Sequence, residues 1–498
     1  MLTATIFVPL VAALGFALLP GTSDDSRRRI TTMRIAATLL AAIPLILMVV
    51  AWLRFDGTGQ FELLESTRWI PTLGVGYKVG IDGVSLPLAA MTALLFVASI
   101  AYPVDFGGRA PRYLALMLFL ESASLGVFLA LDMFLFYVFW DLSLVGMFFL
   151  IGAWGHDGAQ RSALKFFLYT LAGSLALLLG IIGIYLKTDP RTFDIPTIIE
   201  QGVLPAGGAY STLVFLGMFL GFAIKTPMVP FHTWLPPAHV DAPAPASAIL
   251  AGVLLKMGTY GFFRFLMQML PGTFERFAPA LGVLAVISII YGALVALAQT
   301  NLKRLVAYTS VNHMGYVILG LAAAGWAVTG EERAQAIALT GAVVEMVAHG
   351  LITGALFLIS GSVLTRARTY EIDALGGLAG RSPALTGTTA VAAFASLGLP
   401  GLAGFVAEFQ IFAGTLSIQP WLAGVGLLGI VLTAALFLRM LQKVFLGALP
   451  DRWREWTDLS PAETVPLAAL LAMVLVIGVI PFWLLDVIDS TATAFTGP

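Results

Sequence analysis

Apolar stretches of about 18–25 residues, each able to cross a bilayer core roughly 30 Å thick as a helix, recur fourteen times along the chain. They lie near 2–19, 31–53, 84–104, 113–130, 132–153, 162–186, 210–230, 245–269, 275–297, 305–324, 334–365, 386–415, 420–446 and 463–488. Only 11% of the 498 residues are charged, against roughly 25% in soluble domains, and the 51 glycines suit helices packed closely in lipid. The expected class is therefore an all-α integral membrane protein with about fourteen transmembrane helices. A net charge of −1 leaves no electrostatic footprint for a nucleic-acid partner. With no cysteine, the chain has no thiol chemistry, disulfides or cysteine-ligated iron–sulfur cluster. The first apolar run lacks a basic segment before it, and its arginines (Arg27, Arg28 and Arg29) come after it. It is read as a retained helix, not a signal peptide.

An even number of spans puts both termini on one side. Loops on the side of Arg27 carry seventeen Lys and Arg, the opposite loops carry seven, and Lys225, Lys256 and Arg264 fall within spans. Excess positive charge marks the cytoplasmic side, so both termini are expected outside the cytoplasm. The longest loop, Arg54 to Asp82, is expected outside as well, as a polar surface cap without recognisable chemistry.

Prolines divide the chain further. Pro227 and Pro230 interrupt the seventh span just after Lys225, and Pro400 interrupts the twelfth within SLGLPGLAGF. The expected organisation is a three-helix segment (1–110), a first repeat of spans four to eight (111–270), a second of spans nine to thirteen (271–448) and a C-terminal helix (449–498). Five spans per repeat is an odd number, so the two repeats sit inverted, each with one broken helix. Paired broken helices in inverted repeats point to the ion path of a transporter.

Ionisable groups inside spans identify candidate residues, because each lysine at mid-membrane costs about 2.5–3.5 kcal/mol and persists for a reason. Asp141 lies mid-span and needs a partner, for which Lys225 is the natural choice. Opposite charges about 4 Å apart gain roughly 4 kcal/mol at an effective dielectric near 20. Lys256, Tyr260 and Arg264 form a polar stripe at helical spacing towards the outer face, where Arg264 reads as an interface anchor. Thr309, His313 and Tyr316 share one helix face, and Glu345, His349 and Thr353 share another. A histidine beside an acid can pass protons near neutral pH. Glu408 follows the second break. Glu121 is a weaker candidate that reads equally as a helix–helix hydrogen bond, and Asp132 reads as a helix cap. His232 and His239, seven apart with Pro236 and Pro237 between them, do not have metal-ligand spacing, so a gating or structural role is preferred and no metal is expected. No phosphate-binding loop, dinucleotide fingerprint or nucleophile triad is present.

Five segments, FLFYVFWDLSLVGMFFLIGAWG, GFAIKTPMVPFHTWLPPAHVDAPAPASAILAGVLLKMGTYGFFRF, LKRLVAYTSVNHMGYVILG, VEMVAHGLITGALFLISG and GLPGLAGFVAEFQIF, resemble the antiporter-like subunits of respiratory complex I. The resemblance covers roughly residues 80–450 and extends to multisubunit cation/proton antiporters and membrane-bound hydrogenases. It implies a proton relay through Asp141, Lys225, Lys256, His313, His349 and Glu408. It also implies membrane-arm partners, among them L- and N-type antiporter-like chains, and a bacterial cytoplasmic membrane location. Flavin and iron–sulfur clusters are implied in other subunits only, no cofactor in this chain, and only indirect dependence on quinone. A glutamate in the twelfth span, here Glu408, is the M-type choice, where L and N types carry lysine. The sequence departs from the family in having Asp141 for the usual Glu, Gly146 for a proline and Pro237 for an Asp. A cation/proton antiporter subunit and a non-pumping membrane scaffold remain as alternative readings.

Overall fold

The structure, a computed structural model, describes residues 1–20, 27–156 and 158–497. After α1 (Leu2–Ala17) and α2 (Arg27–Trp52) comes an antiparallel hairpin, β1 (Glu62–Ile70) and β2 (Val75–Ile81). Four long helices follow: α3 (Ser85–Ala101), α4 (Ala110–Leu129), α5 (Met133–Trp154) and α6 (Ala159–Tyr185). The next group is α7 (Ile195–Gln201), α8 (Ala209–Lys225), α9 (Leu235–Asp241), α10 (Ala244–Ile249) and α11 (Leu255–Gly261). Then come α12 (Pro271–Leu297), α13 (Leu302–Ala324), α14 (Glu332–Ala367), α15 (Pro383–Ser396), α16 (Ala403–Ile418) and α17 (Pro420–Phe445). The last two are α18 (Pro461–Val479) and α19 (Phe482–Thr496).

Among the described residues, ten helical segments are long and apolar enough to cross a bilayer, and α1, α3, α8 and α16 are shorter apolar helices of 16 or 17 residues. Burial sorts them into two shells. The segment running from α10 through α11, together with α13 and α14, is buried almost throughout, and α4 mostly so. Around them, α2, α6, α12, α17 and α18 turn leucine- and valine-rich faces outward, such as Leu39, Leu179, Leu294, Val431 and Val465. Small residues let the helices approach closely. A Cβ on Gly221 of α8 would stand only 2.7 Å from the carbonyl oxygen of Gly173 on α6.

The interruptions follow from backbone chemistry. Between α8 and α9, Pro227 and Pro230 lack the N–H groups that a continuous helix needs. Between α15 and α16, Gly398 (φ +78°) and Gly401 (φ +91°) flank Pro400 in left-handed backbone that favours glycine. A third irregularity has no proline. From Leu250 to Leu254 and from Phe262 to Met267 the backbone widens into π-turns on either side of Lys256, a feature common at functional sites.

The loop Arg54–Asp82, expected as a polar surface cap, holds an ordered element: its residues from Glu62 to Ile81 pair as the hairpin, with Gly74 (φ +68°) in the left-handed turn between the strands. Two expectations need correction. The last span does not run continuously from 463 to 488. Helix α18 stops at Val479, and α19 restarts after Pro481 with Leu484, Ile488, Thr491 and Ala492 turned inward. Lys303, counted with the loops, is fully buried in α13.

Candidate functional site

A line of polar side chains runs through the buried shell. At one end, Asp141 sits half-buried on α5 and accepts a hydrogen bond from the Ser174 hydroxyl of α6. Lys225, the last residue of α8, is 2% exposed, and its ammonium stands 5.0 Å from the ring centroid of Trp140. Among the described residues, no direct ion pair joins Asp141 to Lys225, although Asp141 is the carboxylate that acts on Lys225 electrostatically. The carboxylate is turned to α6, and the lysine lies over the indole of the residue before it. Beside Gly146, about one turn on from Asp141, Phe119 and Leu120 of α4 fill the space, and an added Cβ would stand 3.2 Å from Phe119.

At the centre the groups lie close together. Lys256 donates to the carbonyl of Ala251 in the first π-turn (2.8 Å) and contacts Nδ1 of His349 on α14 (2.6 Å). A cation in this position is held by two acceptors that replace its water. Nε2 of His349 is buried and has no hydrogen-bond partner. The His349 ring lies 5.4 Å, centroid to centroid, from that of His313 on α13. His313 is held at both nitrogens: Nδ1 meets Glu345 of α14 and Nε2 meets the hydroxyl of Ser396, each at 3.0 Å. Ser396 is the last residue of α15, so the second helix break delivers a polar group directly to the line. Beyond the break, Glu408 is 4% exposed on α16 and faces the bare backbone of Gly398, where a Cβ would stand 2.3 Å from Oε2.

The other candidates separate. The Thr309 hydroxyl donates within its own helix to the Val306 carbonyl at 2.7 Å. Tyr260 donates to the Phe128 carbonyl (3.2 Å) and accepts from Nε of Arg264 (3.1 Å). His232 packs edge-on to Tyr291, whereas His239 is fully buried, stacked 4.4 Å from Phe357, with neither ring nitrogen bonded. Among the described residues, Glu121 makes no helix–helix hydrogen bond, since both its carboxyl oxygens are buried without a partner there. Asp132 caps α5, accepting from the N–H groups of Phe134 and Leu135.

Sequence reasoning missed Asp82 and misplaced Arg264 and Lys303. Arg264 is not an anchor at the membrane surface. It is fully buried and paired at 2.5 Å with Asp82, the residue after β2. The signal for Asp82 was its apolar flanks, KVGIDGVSLPL. Buried Lys303 donates to the Ala242 carbonyl at 2.5 Å and lies 5.4 Å from the Tyr370 ring.

Buried lysine, histidine and carboxylate groups, strung across a helical bundle between two interrupted helices, define an antiporter-like membrane chain built to move ions. The chain belongs to the NADH:quinone oxidoreductase/Mrp antiporter transmembrane family, whose family model matches residues 130–433. It is 39% identical to F420H2 dehydrogenase subunit M of Methanosarcina mazei over 90% of each chain. It is 37% identical to NADH-quinone oxidoreductase subunit M of Rhodobacter capsulatus, over 99% of this chain and 95% of the relative. Its fold matches a chain in the structure of respiratory complex I from Thermus thermophilus with bound NADH, with a TM-score of 0.86, 30% identity and full coverage of both chains.

Proposed function

We propose that this chain is the M-type proton-translocating subunit in the membrane arm of a quinone-reducing respiratory complex. It moves protons along Asp141, Lys225, Lys256, His349, His313 and Glu408 in response to quinone reduction in other subunits. The observation that carries this reading is the fully buried contact of Lys256 with His349, continued by His313 between Glu345 and Ser396. Each ring nitrogen of His313 faces a group able to exchange a proton with it, and an imidazole can accept on one nitrogen while releasing from the other. Glu345 stabilises the imidazolium that forms on the way.

The enzyme activity belongs to the complex. Flavin and iron–sulfur clusters reside in its other subunits, and quinone acts on this chain only through them. Relatives of similar length serve an F420H2 dehydrogenase and an NADH-quinone oxidoreductase, so the electron donor is a property of other subunits. The excess of Lys and Arg on the Arg27 side supports a bacterial cytoplasmic membrane topology with both termini outside. L- and N-type chains are its membrane partners.

The test is a pair of variants in the native complex, Lys225→Ala and Glu408→Gln, with assembly confirmed by subunit mass. Donor-to-quinone electron transfer and the pH gradient in inverted vesicles are measured together. Both variants should assemble and lose pumping along with coupled turnover, whereas Glu408→Lys should retain part of it. Unchanged pumping in either loss variant removes that residue from the relay.

A further inference from the structure

Arg264 has the wrong chemistry for a relay. Its guanidinium stays protonated at any pH a protein meets, so it cannot hand on a proton and take another. It lies two turns beyond Lys256 on the same helix line, inside the second π-turn, and is fully buried. All three of its nitrogens donate: Nε to the Tyr260 hydroxyl at 3.1 Å, Nη1 to Gln268 at 2.7 Å and Nη2 to Asp82 at 2.5 Å. The rings of Phe61, Tyr260 and Phe263 stand 4.7, 5.2 and 5.5 Å from its central carbon. On the side of the hairpin lies a cavity of about 200 Å³, lined by Asp82, Gln60, Phe61, Gln268 and Thr491 among others. Towards the interior lie Tyr260 and then Lys256.

We infer that the Arg264–Asp82 pair, packed by Phe61, Tyr260 and Phe263, is an insulating plug that closes the first half of the chain to the hairpin face. Protons gathered at Lys256 then leave only towards His349. The acid lines the cavity and the guanidinium faces inward, so the positive end of the pair opposes a proton approaching from Lys256. Three hydrogen bonds fix the guanidinium, and the three rings pack against it. The inference rests on the proposed proton-translocating function, because a plug matters only where a proton path exists behind it.

The experiment uses the whole complex in sealed vesicles. Phe61→Ala removes one sealing ring from a loop, and the paired change Arg264→Gln with Asp82→Asn removes the ion pair without leaving a lone buried charge. An imposed pH gradient is followed first without donor, then during turnover. Both variants should let the gradient decay faster than wild type and should hold a smaller gradient during turnover, with electron transfer not slowed. Adding Lys256→Met should abolish the leak. Wild-type retention of the gradient in the assembled variants would show that the pair only holds the fold. Slower pumping without a leak would show that it is an outlet. A leak that survives Lys256→Met would place the opening away from the relay. Wild-type pumping by Lys256→Met alone would instead fail the relay itself, and the leak measured without donor would still decide whether the pair seals.

Discussion

Replacing His349 separates two things that the ring does for Lys256, holding it and relieving it of a proton. Nδ1 of the imidazole lies 2.6 Å from the buried amino group of Lys256 and accepts from it when Lys256 is charged, and its ring lies 5.4 Å from that of His313. A hydrogen bond to a charged group contributes about 1.5–3 kcal/mol. Leucine at position 349 forfeits it and leaves Lys256 with the Ala251 carbonyl alone, so the fold should lose about that amount. Glutamine offers an amide oxygen in place of Nδ1, so its cost should stay near or below about 1 kcal/mol. An amide cannot take up and release a proton near neutral pH, however, and removing a proton-transfer group typically slows its step by about 10²–10⁴-fold. His349→Gln should therefore assemble with nearly wild-type thermal stability and lose coupled turnover and pumping, and His349→Leu should lose stability as well. Unfolding temperature of the purified complex, donor-to-quinone rate and vesicle pH gradient measure the three quantities. Wild-type pumping in an assembled His349→Gln complex refutes the relay through this ring.

Asp141→Asn should abolish most pumping and Asp141→Glu should leave it nearly intact, because the half-buried site accepts an extra methylene; equal pumping by both would reduce Asp141 to a packing residue. Ser174→Ala, which removes only the hydroxyl that donates to Asp141, should have a milder effect in the same vesicle assay. Gly398→Ala puts a side chain where φ is +78° and Glu408 is in the way; a left-handed alanine alone costs about 1–2 kcal/mol, so thermal stability and pumping should both fall. Arg366→Ala breaks a paired contact with Glu463 (2.7 and 2.8 Å) and leaves the carbonyls of Ser362, Thr457 and Asp458 without their donor. It should cost about 3 kcal/mol of stability while the complexes that do assemble pump normally, as judged by thermal denaturation alongside the gradient assay.

The helical architecture and most of the residues in the buried polar line were legible in the sequence, because lipid imposes a local rule. A run long enough to span, such as Pro271–Leu297, becomes a helix, since its backbone has no other hydrogen-bond partner there. A lysine such as Lys225 or Lys256 is conspicuous in such a run whatever surrounds it. Helix periodicity likewise placed His349 and Glu345 on one face of α14.

Pairing is another matter, because helix rotation, depth and crossing settle it among residues far apart in the chain. Lys256 meets His349 across 93 positions, and Arg264 meets Asp82 across 182. Asp141 and Lys225 look complementary in sequence, yet α5 and α6 turn the acid towards Ser174 while Trp140 underlies the lysine. Lys303 reads as a loop charge from its position after an apolar run, and only the packing of α13 beneath Tyr370 buries it. The sequence by itself marked those buried ionisable groups that lie deep within long apolar runs, such as Lys225 and Lys256. The tertiary structure alone decided which of them touch, because that depends on the relative placement of helices that no single helix encodes.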